Sequence, residues 1–331
     1  MNVMRDVAVG RPNEALQARI AALKAGLEQG LIGRSPLVER LLIALLAGGH
    51  VLIEGAPGLA KTRAVKQLSG GLEGSFARIQ CTPDLMPADI TGTPVWRPDR
   101  GVFEFVPGPV FHSLVLVDEI NRAPPKVQSA LLEAMAEGQV TAGSTTHGLP
   151  QPFMVVATQN PIEHEGTFPL PEAQLDRFLF HVCVAMPDAT SERAILELVE
   201  REASLHPPGP LDRLNATEIA MAREEARAVH LAPALKDFIV RLVMATRDGS
   251  AGEEVRGAIE YPVSPRGTLA LAASARVRAY LGGRAHATPE DVRELAPDIL
   301  AHRLGLTWRA VADGESARGI VARILTRVMP V

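Results

Sequence analysis

The sequence predicts an α/β fold: a parallel five-stranded sheet flanked by helices, carrying two β-hairpin inserts and followed by a smaller all-α domain. Three observations predict it. Five short, nearly all-apolar runs, HVLIE, FARIQC, LVLVDE, FMVVATQ and FLFHVCVAM, are separated by helical or loop segments, as expected of strands buried on both faces of a parallel sheet. Two stretches interrupt that alternation with turn residues between β-prone flanks, Pro-Asp-Arg-Gly in VWRPDRGVFEF and Gly-Ser in QVTAGSTTHGLPQPF, and read as hairpins. From Leu214 onward the pattern is helical only. The first domain is expected over 1–205 and the second over 206–331, parting in the loop HPPGPL.

Taken in order, helical periodicity covers 13–29 and returns over 35–47, where Ser35 before Pro36 has the form of an N-cap and first turn. The strands and hairpins run to Met186-Pro187. The second domain shows helical segments around 216–229, 234–246, 265–280, 289–301 and 316–329. With 331 residues, 47% hydrophobic and 22% charged, the chain has ample material for a core. A net charge of −4 gives no bulk attraction to nucleic acid or anionic lipid, and 4% aromatic residues offer few platforms for stacking single strands. The longest apolar run, LLIALLAGGHVLI, is broken by Gly48, Gly49 and His50 and is too short to span a bilayer. The first residues lack the apolar core of a secretion signal, so a cytoplasmic protein without membrane insertion is expected. Cys81 and Cys183 lie in apolar runs with no second ligand at metal spacing and read as core thiols.

The stretch GAPGLAKT nearly spells the phosphate-loop pattern G-x-x-x-x-G-K-[ST], with Ala60 where the last glycine belongs. It follows a strand and opens a helix, where backbone N–H groups and the helix N-terminus converge on phosphates. There Lys61 reaches the β and γ groups, and the Thr62 hydroxyl ligates Mg²⁺. The nucleotide-binding candidates are therefore Gly55, Ala56, Pro57, Gly58, Leu59, Ala60, Lys61, Thr62 and Arg63. Alanine keeps the N–H that position 60 contributes; only a positive φ there would cost about 1 kcal/mol. The sequence leaves that dihedral open. The plain alternative is a glycine-rich turn with an incidental lysine, which the strand and helix on either side disfavour.

LVLVDE ends a buried strand in two acids, placing Asp118 to hold Mg²⁺ through its water shell and Glu119 to polarise the attacking water. Acids commonly follow strands, but one crossover after a phosphate loop the pair reads as functional. Asn160, ending the strand in FMVVATQNP, can orient the lytic water without competing for the metal; an Asn-Pro turn is the simpler reading.

These elements, in this order, resemble the AAA+ ATPases and, more closely, their MoxR branch. The resemblance runs from LIGRSPLVERLLIALLAGGHVLIEGAPGLAKT through CTPDLMPADITG, FVPGP, LVLVDEINRAPPKVQSALLEAMAEGQVT and ATQNPIEHEGTFPLPEAQLDRF to SPRG, most of the chain. It implies a P-loop sheet with a helical lid, ATP and Mg²⁺ as cofactors, and an alanine before the lysine as a common family trait. By the same resemblance, Arg177 of LDRF matches an arginine finger that completes a neighbouring subunit's site, worth roughly 10³ to 10⁵ in rate. Arg266 of SPRG matches the sensor-2 arginine, in cis or in trans, and Ile32 and Gly33 match the segment packed on adenine. A finger reaching across an interface implies a homo-oligomeric ring, usually a hexamer. Without the resemblance, Arg177 reads as a surface residue on a short helix and Arg266 as a solvated arginine behind a Ser-Pro cap.

The chain also departs from the family. Arg34 stands where relatives carry Gln, and His164 at a position often Gln; Glu163, His164 and Glu165 suggest a metal site, but a polar loop fixes no ligand geometry. The function implied is ATP-driven, chaperone-like remodelling of a protein client, with a von Willebrand factor A domain partner and the hairpins at 96–105 and 140–147 as working parts. Metal insertion in the manner of magnesium chelatase is a variant of it. A nucleic-acid motor is a second class, weakened because Asp99 and Glu104 offset Arg97, Arg100 and His147. A non-hydrolytic switch is a third, weakened because every hydrolytic group is present.

Overall fold

A computed structural model describes residues 13–143, 145–161, 166–203 and 212–330. Helices α1 (Glu14–Gly30) and α2 (Ser35–Ala47) lead into β1 (Val51–Glu54), α3 (Lys61–Gly70), β2 (Phe76–Gln80) and the short α4 (Pro87–Thr91). The hairpin β3 (Gly92–Arg97) with β4 (Val102–Pro107) precedes β5 (Leu114–Asp118) and α5 (Pro125–Glu137). A second hairpin, β6 (Gln139–Ala142) with β7 (Thr145–Gly148), is followed by β8 (Met154–Gln159), α6 (Glu172–Leu175), β9 (Phe180–Cys183) and α7 (Ala189–Ala203). The C-terminal part comprises α8 (Ala216–Ala228), α9 (Pro233–Met244), α10 (Glu253–Ala258), β10 (Ile259–Tyr261), α11 (Pro265–Leu281), α12 (Pro289–Leu300), β11 (Gly305–Leu306), α13 (Trp308–Ala312) and α14 (Ala317–Arg327).

The five apolar runs form one parallel sheet in the order β2-β5-β8-β1-β9. Side chains alternate across it, because successive residues of a strand point to opposite faces. Val51, Ile53, Leu116 and Val156 join a core shared with α1, α2, α3 and the C-terminal helices, while Leu52, Val115, Val117 and Val155 face α5. Both faces are buried only for the central strands. The edge strand β2 buries one residue in five, and β9 leaves Cys183 exposed, so Cys183 is not the core thiol its apolar run suggests. Cys81 is buried, and burial pushes its thiol up to about 12.

Three other expectations change. Arg34, not Ser35, occupies the N-cap of α2; Ser35 is already helical, and Pro36, with its preset φ, stands in the first turn. Helix α7 has no counterpart among the expected segments. The C-terminal part is not purely helical, because β10 pairs antiparallel with β11. Both expected hairpins form, and they touch: the Phe105 ring stacks on His147 at 4.0 Å, with Phe111 edge-on at 5.6 Å. The expected domain break at 205/206, Ser144 of the second hairpin turn, and Glu163, His164 and Glu165 lie outside the described residues. No described helix is long and apolar enough to cross a membrane.

Buried polar side chains tie the C-terminal helices to the sheet. Arg40 of α2 donates to Asp298 of α12 at 2.9 Å, and the other Asp298 oxygen accepts from Arg318 of α14 at 2.8 Å. Arg318 also donates to the His181 carbonyl of β9 at 2.9 Å. His50, at the entrance to β1, accepts the Val155 N–H at Nδ1 (3.0 Å) and directs Nε2 at the Met135 carbonyl (3.2 Å), which joins three elements. Burial pushes the His50 pKa down to about 4. The unfolded chain takes up that proton below about pH 6.5 while the folded chain stays neutral, so stability is full above 6.5 and falls as pH drops towards 4. His302, also buried, shifts in the same direction. Urea unfolding should therefore show a loss of about 2 kcal/mol from His50 between pH 7 and pH 5. In His50→Gln that part of the pH dependence should vanish, although the variant is less stable at pH 7.

Candidate active site

The turn from β1 into α3 is set by backbone shape. A Cβ on Gly55 would stand 2.9 Å from the Val184 carbonyl oxygen, so the chain leaves the strand through a gap that only glycine fits. Gly58 and Ala60 both take left-handed conformations, with φ of 82° and 58°. Position 60 thus does demand positive φ, and alanine there stores about 1 kcal/mol of strain. Leu59 is buried, and Ala56 and Ala60 pack on the core, which pins the loop. Helix α3 begins at Lys61, so the N–H groups of its first turn have no intrahelical acceptors and, with the helix dipole, favour an anion at this end.

Lys61 extends its ammonium to the carbonyls of Gly55 and Gln159, the latter at 3.1 Å, across the mouth of β1 and β8. The Thr62 hydroxyl lies 3.4 and 3.5 Å from the two carboxylate oxygens of Asp118. Asp118 ends β5 at 5% exposure. A buried carboxylate is costly without partners, and it has them: Arg78 of β2 donates at 2.7 Å and the Thr158 hydroxyl of β8 at 3.1 Å. Glu119 follows in a left-handed conformation, φ 59°, with its N–H on the Thr158 hydroxyl at 2.9 Å. Its carboxylate accepts from the Gln80 amide at 3.1 Å. Among the described residues, Ala60 and Glu119 are the non-glycines at positive φ, and both stand in this cleft, as backbone strain concentrates at functional sites. Asn160 is buried on the far wall.

The cleft encloses about 390 Å³ between the loop, Asp118, Glu119 and Asn160. Through Gly58, Ala60 and Arg63 it adjoins a second hollow of about 280 Å³, whose walls include Ile32, Met186, Ile195, Leu198 and Val199. That wall is apolar, as a flat base requires. Gly33 turns the chain beside it at φ 69°, and Arg34 donates to the Ala185 carbonyl at 2.8 Å. Arg63 bridges the Gly30 carbonyl (3.1 Å) and Glu202, holding α7 against the end of α1. A hydroxyl and a carboxylate are hard oxygen ligands suited to Mg²⁺, and the lysine and helix N-terminus suit phosphates. The residues present therefore fit a magnesium-bound nucleotide.

Arg177 and Arg266 are in neither hollow. Arg177 follows α6 and donates to the Leu132 carbonyl of α5. The adjacent Asp176 accepts from Arg303 at 2.8 Å and from Ser264, the cap of α11, at 3.0 Å, and lies 3.7 Å from Arg266. Arg303 is buried and also donates to the carbonyls of Asp176 (3.2 Å) and Phe178 (2.7 Å). One carboxylate thus holds the Arg177 loop and the start of α11 together.

The sequence reading did not single out Thr158, Arg78, Gln80 or Asp176. Arg78 and Gln80 left a signal, two polar residues at strand spacing on one face of an otherwise apolar run. Thr158 left none, since its contact with Asp118 arises from the pairing of β5 with β8. Beneath the loop, Glu54 and His181 pair at 2.7 Å beside Cys183, with ligand atoms within 4.8 Å of one another. His181, then Arg318 and Lys61, hold Glu54 below the usual carboxylate range, so positive charge from the protein already serves this trio.

Comparison with known proteins agrees with this geometry. Residues 50–180 match the ATPase family associated with various cellular activities (AAA), and residues 252–324 match the AAA lid domain. The chain is 44% identical over 320 residues to Chaperone MoxR1 of Mycobacterium tuberculosis, covering 95% of this chain and 84% of that protein. It is 33% identical to Protein MoxR of Methylorubrum extorquens, covering 89% and 91%. A crystal structure from Cytophaga hutchinsonii superposes with a TM-score of 0.88 at 40% identity, covering 96% of each chain. Sequence, fold and cleft lead to one assignment: this chain is a member of the MoxR family of AAA+ ATPases.

Proposed function

We propose that the protein hydrolyses ATP with Mg²⁺ at the interfaces of a homo-oligomeric ring, expected to be a hexamer, and uses the energy for chaperone-like remodelling of a protein client. The observation that carries this reading is the placement of Arg177 and Arg266. The cleft holds Lys61, Thr62, Asp118 and Glu119, yet both arginines lie outside it, Arg266 beside Asp176 and Arg177 next to Asp176 in the chain. Arginines tied together away from their own cleft favour action on an adjoining copy, Arg266 included.

In this reading the α3 N-terminus and Lys61 bind and orient the phosphates, and the apolar hollow around Ile32 takes the base. Thr62 and Asp118 would hold Mg²⁺, which supplies charge neutralisation of the phosphates when bound. Glu119 accepts a proton from the attacking water once Gln80 releases its carboxylate, and Asn160 orients that water. Arg177 and Arg266 of the next copy offset charge on the departing phosphate. Asp176 couples the start of α11, with Arg266, to the loop that carries Arg177, whose side chain is held by α5, so a rotation of the lid acts on the spacing of the two arginines.

A protein client with a von Willebrand factor A domain partner is the reading favoured over nucleic acid. On the first hairpin Arg97 is paired with Glu104 at 2.8 Å and Arg100 with Asp99 at 3.6 Å, which leaves little net charge for a phosphate backbone. The same hairpin exposes Trp96 and Phe103, a cross-strand pair with rings 5.1 Å apart, an apolar patch below its turn suited to protein. The M. tuberculosis relative's name, a chaperone, agrees with that choice. Metal insertion, the activity of the more distant magnesium-chelatase subunits, remains a narrower version of the same engine.

Glu119→Gln should retain ATP binding, lose turnover and accumulate as an assembled, nucleotide-loaded ring on size-exclusion chromatography, whereas Lys61→Ala should lose ATP binding. Unchanged turnover in Glu119→Gln would show the base to be misassigned. A mixing experiment tests the shared site. Arg177→Ala and Glu119→Gln should each be inert alone, with the arginine loss costing roughly 10³-fold or more. Mixed together they should regain turnover, because some interfaces then combine an intact base with an intact arginine. A mixture as inert as its components would rule out action in trans.

A further inference from the structure

The Asp118 carboxylate already has a cation beside it. Arg78 projects from β2 into the phosphate cleft, and its Nε donates to Asp118 Oδ2 at 2.7 Å. Its Nη2 donates to the Gln80 side-chain oxygen at 3.0 Å, which orients the guanidinium. The other carboxylate oxygen, Oδ1, is held by Thr158 at 3.1 Å, and the Thr62 hydroxyl faces both oxygens. The partners of Asp118 therefore include Arg78 on the side that also faces Thr62, where a hydrated divalent cation would bind. Two positive charges do not share one buried carboxylate cheaply.

Arg78 is free to move where Asp118 is not. Its side chain is 46% exposed against 7% for that of Asp118, and β2 is an edge strand with no neighbour on its outer side among the described residues. From this geometry, and resting on the nucleotide reading above, we infer that Arg78 is a built-in counter-ion placed on Asp118 where a divalent cation would bind. It competes with the divalent cation, so loading of a magnesium-bound nucleotide displaces it from Asp118. The pair has two effects. It supplies a counter-charge to a buried carboxylate whose other side-chain partners named here, Thr62 and Thr158, are neutral hydroxyls, and it raises the divalent-cation concentration at which the cation and nucleotide engage together.

The test is a binding measurement on the full chain. The dissociation constant of a fluorescent N-methylanthraniloyl ADP is measured in EDTA and in excess Mg²⁺, and the ratio of the two gives the tightening due to the cation. Arg78→Met should raise that ratio by about threefold to tenfold, the range for a half-exposed, charge-assisted pair. Arg78→Lys keeps a positive charge within reach and should stay nearer the wild type. In an Asp118→Asn background, Arg78→Met should leave the ratio where Asp118→Asn alone puts it, since the competition acts through that carboxylate. A ratio that is unchanged or reduced in Arg78→Met would overturn the proposal, as would an equal increase in the Asp118→Asn background. Wild-type protein that binds the probe in neither buffer would instead overturn the nucleotide reading itself.

Discussion

The carboxylate of Asp118 is the constraint on which the site depends. It ends a strand buried on both faces, and a charge in that position is tolerated only when neighbours supply hydrogen bonds and opposite charge. Thr62 from α3, Arg78 from β2 and Thr158 from β8 all point at it. Satisfying one buried charge thereby fixes the spacing between the phosphate loop, the edge strand and the strand carrying Asn160. The same Thr158 hydroxyl accepts the Glu119 N–H, so Glu119 is positioned from Asp118 outward.

Strain is placed where this arrangement needs it. Ala60 and Glu119 each accept an unfavourable left-handed backbone, the first to turn the loop into α3 and the second to swing the Glu119 side chain out of line with β5. Together they cost on the order of 2 kcal/mol, small beside the cores on the two faces of the sheet. A parallel sheet flanked on both faces is a rigid support for such a site, and its ligands gather at the carboxyl ends of the strands, where β1, β5 and β8 all stop.

A second carboxylate, Asp176, organises the junction with the C-terminal helices. Arg303, Ser264 and Arg266 converge on it from the lid, and Arg177 follows it directly in the chain. Arg303 and Asp176 are buried or nearly so while Arg266 reaches the surface, so the charges at the joint are held chiefly by one another. The shared core and the Arg40–Asp298–Arg318 chain reinforce it from the side of α2 and β9.

Local chemistry made much of this legible in advance. The five strands, both hairpins, the phosphate loop and the acidic pair follow from apolar runs, turn residues and a lysine at a strand-to-helix junction, signals contained within about ten consecutive residues each. Elements with weaker local signals were missed or misplaced: the cap of α2, the small β10–β11 ribbon and helix α7. Cys183 read as core because an apolar run does not say which strand lies at the edge of a sheet. The sequence by itself determined the fold, the family and the residues that line the loop between β1 and α3. Only the tertiary structure decided the dihedral at Ala60, the partners of Asp118 and the grouping of Arg177 with Arg266. Those depend on contacts between residues tens to more than a hundred positions apart, brought together by strand order and helix packing that no local pattern encodes.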